Sequence, residues 1–176
     1  MAESAAAAPA LEALLWDVDG TLADTELDGH RPAFNRAFCE EGLSWYWDEV
    51  TYRRLLAVSG GRERIDHWCR SVSGHPADPD LLTRLTAAKA SHYAALVRCG
   101  GVVARPGVAS LIAEAAVAGC QQTIVTTSSR AAVEALMAGA LREQAGAFAR
   151  WICGEDVRCK KPDPEAYRLA LAALDP

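Results

Sequence analysis

Asp17 and Asp19 are two carboxylates separated by a single residue, within the string Asp17-Val18-Asp19-Gly20-Thr21-Leu22-Ala23-Asp24-Thr25-Glu26. One carboxylate can attack a phosphorus atom and form an aspartyl-phosphate. Its neighbour can protonate the leaving oxygen and later take a proton from water. Together the pair can hold a hard cation such as Mg²⁺ through oxygen, which offsets the repulsion between carboxylate and phosphate. A bare D-x-D is a common spacing in solvated loops. The longer string, placed directly after an apolar run, is poorly explained by chance.

Two further groups could serve the same chemistry. Thr126-Thr127-Ser128-Ser129 precedes helical patterning, so its hydroxyls and backbone N–H groups form a phosphate cradle, aided by a helix N-terminus. Either serine could also act only as a helix cap. Lys160-Lys161-Pro162-Asp163-Pro164 offers a lysine that could neutralise a phosphoryl group and screen the nucleophile. Taken alone, it also reads as two solvated lysines before a helix.

These groups need a scaffold that brings them to one edge. Ala13-Leu14-Leu15-Trp16 reads as a buried strand near 12–17, and its C-terminal end delivers Asp17 where open α/β sheets place their sites. Gln122 to Thr127 is a β-branched strand, and Arg150 to Cys153 a weaker one. A helix opened by Pro106 is expected to run to about Ala118, ended by Gly119. Others are expected over Arg130 to Ala138, and from the Asp163-Pro164 cap to about Leu174. Alternating strands and helices predict a parallel α/β sheet with right-handed crossovers.

Residues 27–100 differ from the rest in being wholly helical in pattern. Phe34, Ala37 and Phe38 mark the apolar face of one helix. Further helices are expected near Asp48 to Val58, over Glu63 to Val72, and from the Asp78-Pro79 cap to about Val97. The predicted organisation is a disordered Ala-rich leader (1–10), a core built from 11–26 and 101–176, and a helical domain (27–100) inserted after the first strand.

Composition narrows the function. A formal net charge of −5 argues against a nucleic-acid partner, which calls for clustered Lys and Arg. Six scattered cysteines form no C-x-x-C pair, so reduced thiols are expected rather than zinc or disulfides. The leader lacks the basic start and greasy stretch of a signal peptide, and no apolar run is long enough to span a bilayer. The expectation is a cytoplasmic protein without membrane or nucleic-acid partners, monomeric if its fold is complete.

The motifs together resemble the haloacid dehalogenase (HAD) superfamily, in its phosphatase and phosphomutase branch with an α-helical cap. Asp17-Val18-Asp19-Gly20-Thr21 resembles its first motif, Thr127 after Ile124-Val125-Thr126 its second, and Lys161 in Lys161-Pro162-Asp163-Pro164 its third. The resemblance covers about residues 11–174 and implies a Rossmann-like core with Mg²⁺ held at Asp17 and Asp19. It implies Asp17 as nucleophile, Asp19 as general acid/base, and Thr127 and Lys161 as phosphoryl contacts, with Ser128 and Ser129 beside them. A narrower likeness to the CbbY-like subgroup runs through Asp24-Thr25-Glu26, Gly29-His30-Arg31, Trp45-Tyr46-Trp47-Asp48, Ser59-Gly60-Gly61-Arg62-Glu63-Arg64-Ile65, Ala88-Lys89 and Arg105-Pro106-Gly107-Val108. That subgroup includes xylulose 1,5-bisphosphate phosphatases. The likeness makes Gly60, Gly61, Arg62 and Arg64 candidates for a second phosphate, Glu26 for a sugar hydroxyl and Lys89 for a cap-side contact.

Two departures qualify this. Lys160 stands where the family commonly has a small residue. The superfamily's fourth, acidic motif is expected after Pro176, and neither Asp156 nor Asp175 follows a strand beside Asp17. One metal ligand is therefore expected to be missing, the strand of Asp17 to be an uncovered edge, and activity to be impaired. Three functions follow in order: a Mg²⁺-dependent sugar-phosphate phosphatase, a β-phosphoglucomutase-like mutase, and a non-catalytic phosphate-binding remnant.

Overall fold

The computed structural model describes residues 11–174. The leader at 1–10 and Asp175 lie outside the described residues. Three parallel strands form the sheet: β1 (Ala13–Trp16), β2 (Gln121–Val125) and β3 (Arg150–Ile152), in the order β1-β2-β3. Ala13 is in register with Gln121 and Trp16 with Ile124, while Val125 pairs with Ile152. Among the described residues β1 is an outer strand, paired on one side with β2.

Side chains alternate between two apolar layers, as a sheet covered on both faces requires. Trp16 and Ile124 face a core that includes Ile112 of α5 (Val108–Val117) and Val133 and Leu136 of α6 (Arg130–Ala138). Val125 and Ile152 face Ala166 and Ala170 of α7 (Glu165–Leu171), with Leu15 packed beside them. Gln122 lies buried in the larger core with both ends of its amide used: it accepts from Trp16 Nε1 and donates to the Ile112 carbonyl, each at 3.0 Å.

Between β1 and α5 the chain makes four helices: α1 (Arg31–Glu40), α2 (Glu49–Leu55), α3 (Gly61–Ser73) and α4 (Pro79–Arg98). Their own apolar cluster is aromatic. Phe34 and Phe38 pack against Trp47 at centroid distances of 4.7 and 4.8 Å, and Tyr52 and Leu85 join them. The α4 helix is shared. Leu82 and Leu85 belong to this cluster, whereas Tyr93 and Val97 belong to the sheet core. Asp78 caps α4 by accepting from the Asp80 and Leu81 amides, with Pro79 at the first helical position.

Several boundaries differ from the sequence expectation. The α5 helix begins at Val108 and not at Pro106, because Gly107 takes a φ of +82° that a helix cannot continue. Strand β2 ends at Val125, two residues early, where the chain turns through Thr126 towards α6. The α7 helix starts one residue late and ends at Leu171; Pro164 and not Asp163 takes the N-cap position, and the Asp163 side chain, one residue earlier, accepts from the Glu165 amide at 2.9 Å. Residues 26–30 form a π-helical turn that runs directly into α1, closed by the Arg31 amide on the Glu26 carbonyl. No described helix is long and apolar enough to cross a membrane.

Candidate active site

Each strand end presents one of the groups singled out by sequence. Asp17 follows β1, Thr127 and Ser128 follow β2, and Lys161 lies in the segment between β3 and α7. Parallel strands all point their C-terminal ends the same way, so three segments distant in sequence meet at one edge. After Asp17 the chain folds back sharply. The Val18 carbonyl accepts from the Thr21 and Leu22 amides, and Gly20 takes a φ of +72° within this turn.

Asp17 is 45% exposed, and its Oδ1 lies 2.8 Å from Lys161 Nζ and 2.8 Å from the Val18 amide. Lys161 Nζ also donates to the Val125 carbonyl at 2.9 Å. The ammonium is thereby held at the end of β2, beside the Asp17 carboxylate.

Asp19 is more enclosed. Its Oδ1 accepts from Thr25 Oγ1 at 2.6 Å and from His30 Nε2 at 2.9 Å, and its Oδ2 accepts from the Ser128 hydroxyl. Burial alone would raise its pKa. His30 and the hydroxyls of Ser128 and Thr25 outweigh burial and hold the carboxyl below the usual carboxylate range. Lys89 Nζ lies 2.9 Å from His30 Nδ1. An ammonium only donates, so Nδ1 accepts and Nε2 carries the proton given to Asp19. The result is a directed chain, Lys89 to His30 to Asp19, with the imidazole stacked on Tyr93 at 4.3 Å.

Burial pushes Lys89 down to about 8, against the upward pull of Asp19 and Glu26. Its ammonium sits 5.1 Å from the Phe34 ring centroid and 5.2 Å from that of Tyr93. Glu26 accepts from the Tyr52 hydroxyl at 2.5 Å, and that oxygen in turn accepts from Arg64 at 3.0 Å. Burial and the nearby Glu26 carboxylate keep the Tyr52 phenol protonated well above its ordinary range.

A cavity of about 250 Å³ separates the sheet edge from the helical insertion. Asp19, Thr127, Ser128, Ser129 and Lys160 line its core side; Glu26, Gly60, Gly61, Arg62, Arg64 and Lys89 line the other. Asp17 and Lys161 are not lining residues, although Asp19 and Lys160 beside them are. Two of the lining groups have inward duties. Arg64 spends Nε on the Leu55 carbonyl, one terminal nitrogen on Tyr52 and the other on the Val58 carbonyl. Ser129 caps α6 by accepting from the Ala132 amide at 3.3 Å. Arg62, by contrast, makes one hydrogen bond among the described residues, long at 3.5 Å, to Thr83 Oγ1.

Sequence reasoning did not assign His30, Thr25, Tyr52 or Tyr93 a role. His30 stood only within a family-like tripeptide, and its link to Lys89 spans 59 positions. Among the described residues no group of three or more His, Cys, Asp or Glu is arranged to hold a metal ion. Asp17 and Asp19 are hard oxygen donors of the number Mg²⁺ takes when water and substrate phosphate complete its shell.

A parallel α/β sheet with two carboxylates and a paired lysine at its C-terminal edge fits a hydrolase of the HAD fold. The haloacid dehalogenase-like hydrolase family model matches residues 11–176, and the chain belongs to that family. It is 45% identical over 166 residues to protein CbbY of Cereibacter sphaeroides, covering 94% of this chain and 71% of that protein. The crystal structure of CbbY from Rhodobacter sphaeroides with phosphate superposes with a TM-score of 0.87 at 44% identity, covering 94% of this chain and 73% of that one. A variant of the same CbbY in complex with xylulose-1,5-bisphosphate matches with a TM-score of 0.85, over 92% and 72% of the two chains.

Proposed function

We propose that the protein is a Mg²⁺-dependent phosphatase of a small sugar phosphate or bisphosphate, with xylulose 1,5-bisphosphate the leading candidate. The observation that carries this reading is the pairing of Asp17 with Lys161 beside Asp19, a carboxyl held in its ionised form that lines the cavity. The bisphosphate bound to the related CbbY structure supports the choice of substrate.

In this mechanism the phosphoryl group enters over Asp17, its oxygens facing Thr127 and the Lys161 ammonium. An Asp17 carboxylate oxygen attacks phosphorus while the ester oxygen leaves with a proton from Asp19. Asp19, left as the carboxylate, then takes a proton from the water that attacks the aspartyl-phosphate, releasing phosphate and regenerating Asp17. Mg²⁺ bound by Asp17 and Asp19 would supply the positive charge that lets a carboxylate approach a phosphate. For the acid step Asp19 must first be protonated, and an incoming phosphate dianion raises its pKa in the required direction. The His30 Nε2–H and the Thr25 hydroxyl hold the carboxylate in place throughout.

The insertion acts as a cap that closes the cavity and excludes water until the sugar leaves. Glu26, fixed by Tyr52, is placed to accept from a sugar hydroxyl. Gly60 and Gly61 open α3 without a side-chain cap, so backbone N–H groups and Arg62 are available to a second phosphate. The test is phosphate release from xylulose 1,5-bisphosphate, with and without Mg²⁺, by the chain and its Asp17→Asn variant. We expect release that needs both the metal and Asp17. Equal rates in the two proteins would refute the nucleophile, and isomerised sugar phosphate in place of free phosphate would make the protein a mutase.

A further inference from the structure

Lys160 takes no part in the chemistry above, yet it reaches across the cavity. Its ammonium leaves the segment after β3 and ends 2.5 Å from Glu63 Oε1, in the first turn of α3. One residue along, the Lys161 carbonyl accepts from Ser59 Oγ at 3.0 Å. A single loop of the insertion thus grips two successive core residues, the second of which carries the ammonium bonded to Asp17.

Gly60 sits between these contacts with a φ of +95°. A Cβ there would stand 2.6 Å from Lys160 Nζ and collide with the Glu63 carboxylate. The loop is therefore shaped so that ammonium and carboxylate can meet. Gly60, Glu63 and Lys160 all line the cavity, so the contact forms part of its wall.

The pair is only partly shielded: the Lys160 side chain is 26% exposed and that of Glu63 46%. An ion pair of that kind is weak and salt-sensitive. It suits a latch that opens and closes rather than a permanent joint.

We propose that Lys160 is a positioning residue: its ion pair with Glu63 latches the Ser59-Gly60-Gly61 loop to the core and sets where the α3 N-terminus stands over the site. Its effect on catalysis rests on the phosphatase reading; the latch itself does not. The charge on Lys160 acts through the insertion, and no contact between Lys160 and the reacting atoms is required.

The latch is tested first without substrate. Spin labels are placed on Val72→Cys in α3 and Val117→Cys in α5, with the exposed Cys39, Cys99 and Cys159 changed to Ser. We expect one short interlabel distance at low salt. A second, longer population should appear in Lys160→Gln, and in the parent at about 1 M salt, where the screening length falls to about 3 Å. Identical distance distributions in parent and variant at both salts would overturn the latch.

The catalytic consequence is read from KM in Lys160→Gln, Glu63→Gln, their double variant and Lys160→Arg. Each single neutral variant should raise KM for xylulose 1,5-bisphosphate about two- to fivefold, the range an exposed pair supports. The rise should be smaller for p-nitrophenyl phosphate, which has no second anionic group. The double variant should match either single one, and Lys160→Arg should recover most of the loss. Additive effects in the double variant would overturn the pairing. If no sugar bisphosphate is hydrolysed at all, the phosphatase reading fails, and the distance measurement still decides the latch.

Discussion

Lys89 holds its charge against Phe34 and Tyr93 while donating to His30, and burial brings it down to about 8. Below that pH its ammonium fixes the His30 tautomer that serves Asp19. Above it, the donated proton is no longer secured. A decline in kcat/KM centred near pH 8 is therefore expected, and Lys89→Met should remove that limb at a lower overall rate; an unchanged limb would refute the relay. Stability should move the other way. Lys89 binds its proton more weakly folded than unfolded, so between about pH 8 and its ordinary 10.5 the unfolded chain holds more protons. Relative to Lys89→Met, the wild type should gain stability as pH rises through this window, measurable by urea unfolding at its two ends. Asp19→Asn is expected to lower kcat about 10²- to 10⁴-fold, the usual worth of a positioned acid/base. Asp17, Asp19, Thr127 and Lys161 could be singled out from sequence because each stands in a distinctive string, the first three just after a strand and Lys161 in the segment between β3 and α7. His30 and Tyr52 were not, because their roles exist only through partners brought near by folding, 11 and 26 positions away along the chain.

At the scale of elements, turn and cap chemistry decided what could be read. Asp78-Pro79 announced α4 correctly, since a side-chain cap and a proline act on residues next to them. Asp78→Ala should cost about 1 kcal/mol, seen as a lower urea midpoint. The π-helical turn at 26–30 had no such local signature, and Gly107 displaced the start of α5 because its positive φ overrode the adjacent proline. Gly60 combines φ +95° with ψ +139°, a region almost closed to side chains. Gly60→Ala is expected to destabilise by about 1–3 kcal/mol, and a wild-type-like midpoint would show that the loop relaxes freely.

For the whole molecule the telling element is α4, whose 20 residues place Leu82 and Leu85 in the aromatic cluster of the insertion and Tyr93 and Val97 in the sheet core. The two apolar clusters are thus joined by one rigid rod of about 30 Å. Leu85→Ala in one cluster and Leu136→Ala in the other should each cost about 2–5 kcal/mol. Both should shift the same unfolding transition, whether followed by calorimetry or by tryptophan fluorescence; two separate transitions would show that the clusters melt independently.

The register of β1 against β2 carries a consequence in time. Ala13 finds its partner in Gln121, more than a hundred residues further on, and helices α1 to α5 lie between them. Contacts within the insertion are local, and local contacts form fastest. At synthesis speeds of about 5–20 residues per second, the strand that leads into Asp17 emerges several seconds before the strand it must pair with. Through that interval its apolar residues and unpaired backbone have no sheet to join. The strand that leads into Asp17 is thus made well before it can be secured, and the local contacts of the helices that roof the cavity can form before its floor is laid.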